Sequence, residues 1–92
     1  MKAVIIKYEA SNLTKTEASK LSKRLFGYID KSNKGTYLYK RRGLVTEQPH
    51  IRFTRGLFAV PKNKAKRIIN LIKKKGGRVE IWEVELKKDY FK

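Results

Sequence analysis

The sequence has no cysteine and a single histidine, His50. Without cysteine there is neither a disulfide framework nor a thiolate metal site, and one histidine does not supply the ligands of a usual zinc site. No run approaches the roughly 20 apolar residues of a membrane span, and no apolar signal segment follows Met1. These absences predict a soluble cytoplasmic protein without a metal, a cofactor or a small-molecule substrate.

Acidic residues are also scarce, because 8 Asp and Glu stand against 24 Lys and Arg, for a net charge of +16. Residues 31–78 hold fifteen Lys or Arg and one acid, Glu47, which is a net charge of +14. A surplus of this size repels itself, and a polyanion relieves the repulsion. The uneven charge therefore predicts a patterned surface and a nucleic-acid partner. The abundant lysine fits a thermophile.

The length of 92 residues predicts one domain, residues 1–92, with a polar tail at 87–92. Alternating or β-branched apolar runs predict strands at residues 3–8, 36–45, 50–60 and 79–86. Helical spacing predicts a first helix capped by Thr14 and Glu17, with apolar residues as far as Ile29. A second helix is predicted over residues 62–75, with Asn63 as N-cap and Gly76-Gly77 as its stop. The order predicts an α+β, ferredoxin-like βαββαβ fold with a four-stranded antiparallel sheet and both helices on one face.

The sheet face without helices is the first candidate site. We expect Ile5, Leu38, Ile51 and Phe53 to point to the helices, with a bulge at Arg55-Gly56 returning Phe58 and Val60 to the core side. The open face would then carry Val4, Ile6, Tyr8, Tyr37, Tyr39, Arg41, Arg52 and Thr54. Rings stack on bases and Arg pairs with phosphate, so this face would suit a nucleic acid.

Basic residues on two predicted neighbouring strands form the second candidate site. Lys40, Arg41 and Arg42 would lie within about 5 Å of Arg52 and Arg55 across the pair, where a phosphate backbone would relieve their repulsion. The second helix offers a third cluster, which includes Lys62, Lys64 and Arg67. For every cluster the alternative is a solvated surface, or an edge strand that uses charge to avoid aggregation.

Residues 55–60, Arg-Gly-Leu-Phe-Ala-Val, resemble the RNP1 strand of RNA-recognition motifs, which share the βαββαβ order. Leu57 and Ala59 stand where that family carries aromatic rings, so the resemblance implies the topology and not the stacking site. The plan is also similar to that of a family of small, dimeric, CRISPR-associated nucleases. Glu9 follows the first strand where that family usually has Asp.

A non-enzymatic, nucleic-acid-binding protein is the leading hypothesis, with RNA or a ribonucleoprotein favoured over DNA and with limited sequence readout. The alternatives are a dimeric DNA-binding protein of chromatin, plasmid or viral type, a metal-dependent nuclease using Glu9, and a module that binds an acidic protein. A homodimer is among the expected partners.

Overall fold

The computed structural model describes residues 1–32 and 37–91 and has two helices, a four-stranded antiparallel sheet and a separate two-stranded hairpin. The order along the chain is β1 Lys2–Glu9, α1 Lys15–Phe26, β2 Tyr28–Ser32, β3 Tyr37–Arg41, β4 Ile51–Thr54, β5 Leu57–Pro61, α2 Lys62–Lys74, β6 Arg78–Glu85 and a short 3-10 helix Lys88–Tyr90. The main sheet has the strand order β4-β5-β1-β6. The α+β class is confirmed, but the simple βαββαβ order is wrong because β2 and β3 come between α1 and β4.

The first helix begins as predicted. The Thr14 hydroxyl accepts from the Glu17 N–H, and the Glu17 carboxylate accepts from the Thr14 N–H, both at 3.1 Å. The helix ends three residues earlier than its apolar pattern suggested, at Phe26. Gly27 has φ +81°, and a Cβ there would overlap the backbone oxygen of Arg41. Glycine is therefore required where the chain leaves α1 for β2.

The strands β2 and β3 form a two-stranded sheet of their own, which we call the hairpin arm. Its base is fastened to the end of α1, because Leu44 N–H donates to Arg24 and Val45 N–H donates to Leu25, both at 2.8 Å. Val45 is fully buried in the core. The strand predicted over residues 36–45 is thus divided: β3 ends at Arg41, and the rest is a turn that anchors the arm.

The strand predicted over residues 50–60 is a hairpin. Arg55 and Gly56 form the turn between β4 and β5, where a bulge was expected, and the bulge lies instead between Arg52 and Thr54. A glycine suits both a bulge and a tight turn, which is why the sequence did not separate the two. Gly56, at φ +79°, accepts a hydrogen bond from the Tyr8 N–H at 2.9 Å.

The core lies between the sheet and the helices, with α2 packed on β1, β5 and β6. Its buried members are Val4, Ile6, Leu21, Leu25, Val45, Phe58, Val60, Ala65, Ile68 and Ile72. Phe58 and Val60 are on the core side as predicted. The assignment of the other strands was reversed, because Val4 and Ile6 face the helices while Ile5 and Ile51 lie on the opposite face. Strand β1 is apolar on both faces, so its alternation carries no information about which face is covered.

The second helix matches its predicted range to within one residue. Pro61 takes the N-cap position without a side-chain hydrogen bond, so Asn63 is not the cap. Gly76, at φ +91°, follows the helix end as expected. No helix in the described residues is long and apolar enough to cross a membrane.

Candidate nucleic-acid interface

A trough runs between α1 and α2 to the base of the hairpin arm, and we call it the interhelical groove. It consists of two depressions of about 530 and 470 Å³ that share Arg24. Seven cationic side chains line it: Lys20, Lys23, Arg24, Arg42, Arg67, Lys74 and Lys75. Two acids, Glu17 and Glu47, also line the groove, and the seven cations outnumber them by five.

The spacing of the cations follows from helix geometry. Lys20 and Arg24 are four residues apart on α1, and Arg67 and Lys74 are seven apart on α2, so each pair shares one side of its helix. The start of α1 lies beside the end of α2, where Asn12 Nδ2 donates to the Gly76 oxygen. The two basic sides therefore face a common trough.

The groove cations are not neutralised by the acids of the described chain. Within residues 1–32 and 37–91 the ion pairs are Met1 N-terminus–Glu85, Arg41–Asp30 and Lys62–Glu83. The Glu17 carboxylate is engaged at the helix start, and its hydrogen bond from the Thr14 N–H lowers the pKa of Glu17. Seven like charges thus share the groove.

The hairpin arm has two unlike faces. The register puts Tyr28 opposite Arg41 and Asp30 opposite Tyr39 on one face. On this face Arg41 lies 3.4 Å from Asp30 and 5.8 Å from the ring centre of Tyr39. The other face carries two aliphatic and two cationic side chains, Ile29, Lys31, Leu38 and Lys40.

Both faces of the arm are exposed. Ile29 and Leu38 are 64% and 63% accessible, although they are aliphatic. Tyr28 and Tyr39 are also exposed, and Lys23 of α1 lies 5.5 Å from the Tyr28 ring centre. The arm therefore offers rings and cations together beside the groove. The predicted contact at Tyr37 falls on a side chain outside the described part.

Arg52 and Arg55 do not lie across from Lys40, Arg41 and Arg42, so the predicted second cluster is wrong as a unit. The two sets belong to different sheets, β4 in the main sheet and β3 in the arm. The Arg52 guanidinium is on the helix side, 4.0 Å from the ring centre of Phe26. This cation–π contact gives Arg52 a packing role.

Arg55 lines a third depression, of about 640 Å³, beside α1 and outside the groove. Its lining includes Lys15, Lys23, Tyr8 and two serines, Ser19 and Ser22. Burial raises the pKa of Tyr8, and a hydrogen bond with Ser22 and the two nearby arginines partly oppose the rise. Tyr8 is therefore a neutral phenol at physiological pH, and it lies in the core face instead of the predicted open face.

The α2 cations divide between two sides of the helix. Arg67 lies in the interhelical groove, and Lys64, one turn earlier, is exposed on the same side. Lys62 is 3.1 Å from Glu83 of β6 and faces away from the groove. Of the ten predicted site residues, the structure brings Arg42 and Arg67 into the groove and leaves Tyr39, Lys40 and Arg41 on the arm.

Sequence reasoning missed the contribution of α1, since Lys20, Lys23 and Arg24 were not among the predicted site residues. The signal that could have found them is the i, i+4 spacing of Lys20 and Arg24 on α1 together with the i, i+7 spacing of Arg67 and Lys74 on α2, since each spacing puts two cations on one side of a helix. No group of three His, Asp or Glu side chains that could hold a metal ion occurs in the described ranges. The nuclease hypothesis stays a prediction.

Comparison with protein families, curated proteins and solved structures found no match.

Proposed function

We propose that this protein binds the phosphate backbone of nucleic acid in the interhelical groove and contacts the adjoining bases or backbone with the hairpin arm. One observation supports the proposal above the others: seven cations line one trough, and no ion pair of the described residues involves them. Phosphates would relieve the mutual repulsion and release their own counterions.

RNA is favoured over DNA because the arm presents exposed rings next to cations. Unpaired bases in RNA loops and ends stack on aromatic side chains, whereas a duplex hides its base faces. Tyr28 and Tyr39 are exposed on one face of the arm, with Arg41 beside them. In this proposal the groove supplies affinity for any phosphate chain, and the arm supplies the preference.

A ferredoxin-like origin of the fold is part of the same proposal. With the arm set aside, the elements run β-α-β-β-α-β, and the sheet order β4-β5-β1-β6 is fully antiparallel. The arm is then an insertion between the first helix and the second sheet strand, placed at the end of the groove that it serves.

The test is a salt titration of binding to single-stranded RNA, duplex RNA and duplex DNA of equal length, followed by fluorescence anisotropy. If about five of the seven cations contact phosphate, log K falls with log salt at a slope of about −4.5 for duplexes and about −3.5 for single strands. A flat response, or no binding at 50 mM salt, would overturn the proposal.

The role of the arm has its own matched variants. Tyr39→Ala should weaken binding to single-stranded RNA by about 1 kcal/mol or more, the low end of a stacking contact. Tyr39→Phe keeps the ring and should bind as the unaltered protein does. Equal losses for single-stranded RNA and duplex DNA in Tyr39→Ala would rule out stacking as the source of preference.

A further inference from the structure

The face of the main sheet opposite the helices has two apolar rows of side chains. One row crosses all four strands as Ile51, Ala59, Ile5 and Trp82, which are successive Cα partners. The next row is Pro61, Ala3 and Val84. Phe53, at the bulge of β4, alternates with Arg52 and so shares the side of Ile51. We call this set, together with Leu57 and the charged residues Lys7, Glu9, Arg78 and Glu80, the open face.

Two aromatic side chains of the open face are exposed. Phe53 is 51% and Trp82 is 45% accessible. They lie on the two outer strands, and between them Ile5 is partly accessible and Ala59 is fully buried. Two large exposed aromatic side chains on one sheet face mark a candidate interaction site.

The charge of the open face identifies its occupant. Its charged residues on β1 and β6 form two pairs of Cα partners, Lys7 with Glu80 and Glu9 with Arg78, so the face is neutral in a chain of net charge +16. Proteins that stack single strands combine rings with a basic track, and here the basic groove is on the opposite side of the sheet. On this face a nucleic acid would meet as many carboxylates as cations, so it would gain little from phosphate contacts there. A second copy of the chain meets the least electrostatic repulsion there.

We propose that the open face binds the open face of a second copy, to form a two-fold symmetric homodimer with the sheets back to back. In a two-fold interface the same patch serves both partners, so Lys7 of each copy can approach Glu80 of the other. The Trp82 and Phe53 rings would cover the partner's central row. The proposal concerns a surface that the nucleic-acid site does not use.

The size of the face sets the expected strength. Its strands have 4, 5, 8 and 8 residues. At about 3.3 Å per residue and about 4.8 Å between strands, each copy contributes about 400 Å² in plan. The two copies together would bury about 800 Å² in plan, below the roughly 1,000 Å² expected of a stable interface, so we expect a weak, reversible dimer.

The arrangement has a consequence that rests on the proposed function. Back-to-back packing leaves the two interhelical grooves on opposite outer sides of the dimer. Such a dimer would hold two nucleic-acid segments at once, and one copy would hold one. The dimer itself forms without nucleic acid, so it is tested separately.

The experiment is sedimentation equilibrium of the nuclease-treated full chain from 1 to 200 µM, in 0.15 and 0.5 M salt. The matched variants are Trp82→Lys and Ile81→Lys. Ile81 is the neighbouring residue on β6, is 49% accessible, and lies on the helix side of the sheet. Both variants add one charge at a similarly exposed apolar position, but only Trp82→Lys places it on the open face.

We expect the average mass to rise with concentration from 10.8 kDa toward twice that value, and more readily at 0.5 M salt. Ile81→Lys should behave likewise, and Trp82→Lys should raise the dissociation constant at least tenfold. Trp82 is the only tryptophan, so its emission should shift to shorter wavelength as the dimer forms. Circular dichroism checks the fold of each variant, and Phe53→Lys replaces Trp82→Lys if that chain does not fold.

Three outcomes would overturn the proposal. The first is a monomer throughout the concentration range at both salt concentrations. The second is an equal effect of Trp82→Lys and Ile81→Lys. The third is quenching of Trp82 by single-stranded RNA together with a loss of RNA affinity in Trp82→Lys, which would make bases the occupant of this face. Failure of nucleic-acid binding alone would leave these measurements unaffected.

Discussion

Two cations on α2, five residues apart, are predicted to differ sharply in their effect on nucleic-acid binding. Arg67 lines the interhelical groove, and no ion pair of the described residues involves it. Lys62 is on another side of the helix, 3.1 Å from Glu83. Arg67→Gln and Lys62→Gln each remove one positive charge and keep a good helix-forming residue.

The expected magnitude follows from counterion release. For a duplex, each phosphate contact multiplies the association constant by about the molar salt concentration raised to the power −0.9. This factor is roughly fivefold at 0.15 M salt and roughly fifteenfold at 0.05 M salt. Arg67→Gln should therefore weaken duplex binding by about those factors and make the salt slope less negative by about 0.9. Lys62→Gln should change affinity by less than about twofold, because Lys62 does not line the groove and salt screens the loss of an exposed charge outside it.

The measurement is a set of anisotropy titrations with one labelled duplex, from 0.05 to 0.3 M salt, for the three chains in parallel. The decisive quantity is the difference between the variants, which have the same formal net charge. If Arg67→Gln and Lys62→Gln shift the binding curve equally, binding depends on total charge alone and the groove has no special role.

Three further predictions concern the fold that builds the groove. Thr14→Ala removes the N-cap acceptor and should lower the free energy of unfolding by about 1 kcal/mol, or the melting temperature by about 4–8 °C, whereas Thr16→Ala should have little effect in the same thermal melt. Gly27→Ala should lower the free energy of unfolding, measured by urea denaturation, by about 3 kcal/mol or more, because it forces a side chain at positive φ against neighbouring backbone. Gly76→Ala should lower it by only about 1 kcal/mol. Equal losses would show that the arm junction is not tightly packed. Burial raises the pKa of Tyr8, so Tyr8 should contribute stability below pH 10 that is lost as pH rises toward the folded-state pKa. Between pH 8 and 11 the urea midpoint of the unaltered chain should therefore fall more steeply with pH than that of Tyr8→Phe. The same dependence of the midpoint on pH in both chains would contradict this.

Local signals predicted the elements that local interactions determine. The Thr14 and Glu17 capping pair and the Gly76 stop fix helix ends through contacts within a few residues, so they are visible in the sequence. Phe58 and Val60 were also placed correctly, since a two-residue period defines their shared face. None of these inferences required knowledge of which strands are neighbours.

The same reasoning did not predict which strands pair with one another. The site prediction placed Arg41 beside Arg52, which needs β3 and β4 in one sheet, and the structure puts them in two. Ile29 fits the apolar pattern of a helix, but α1 ends before Gly27 and Ile29 lies in β2. The groove itself joins residues of α1 to residues of α2 that are about 45 positions later, and long-range contacts of this kind have no local signature.

The two proposed surfaces should reinforce each other. Each copy carries a net charge of +16, so the approach of two open faces is opposed by long-range repulsion although the faces themselves are neutral. Phosphates bound in the interhelical grooves cancel part of that charge without touching the open face, and linkage then requires that dimerisation strengthen phosphate binding by the same factor. A short duplex that spans one groove should therefore lower the dimer dissociation constant, with the largest effect at low salt, where the repulsion is least screened. In Trp82→Lys the duplex should still bind, but without this gain, and sedimentation with and without the duplex separates the two effects.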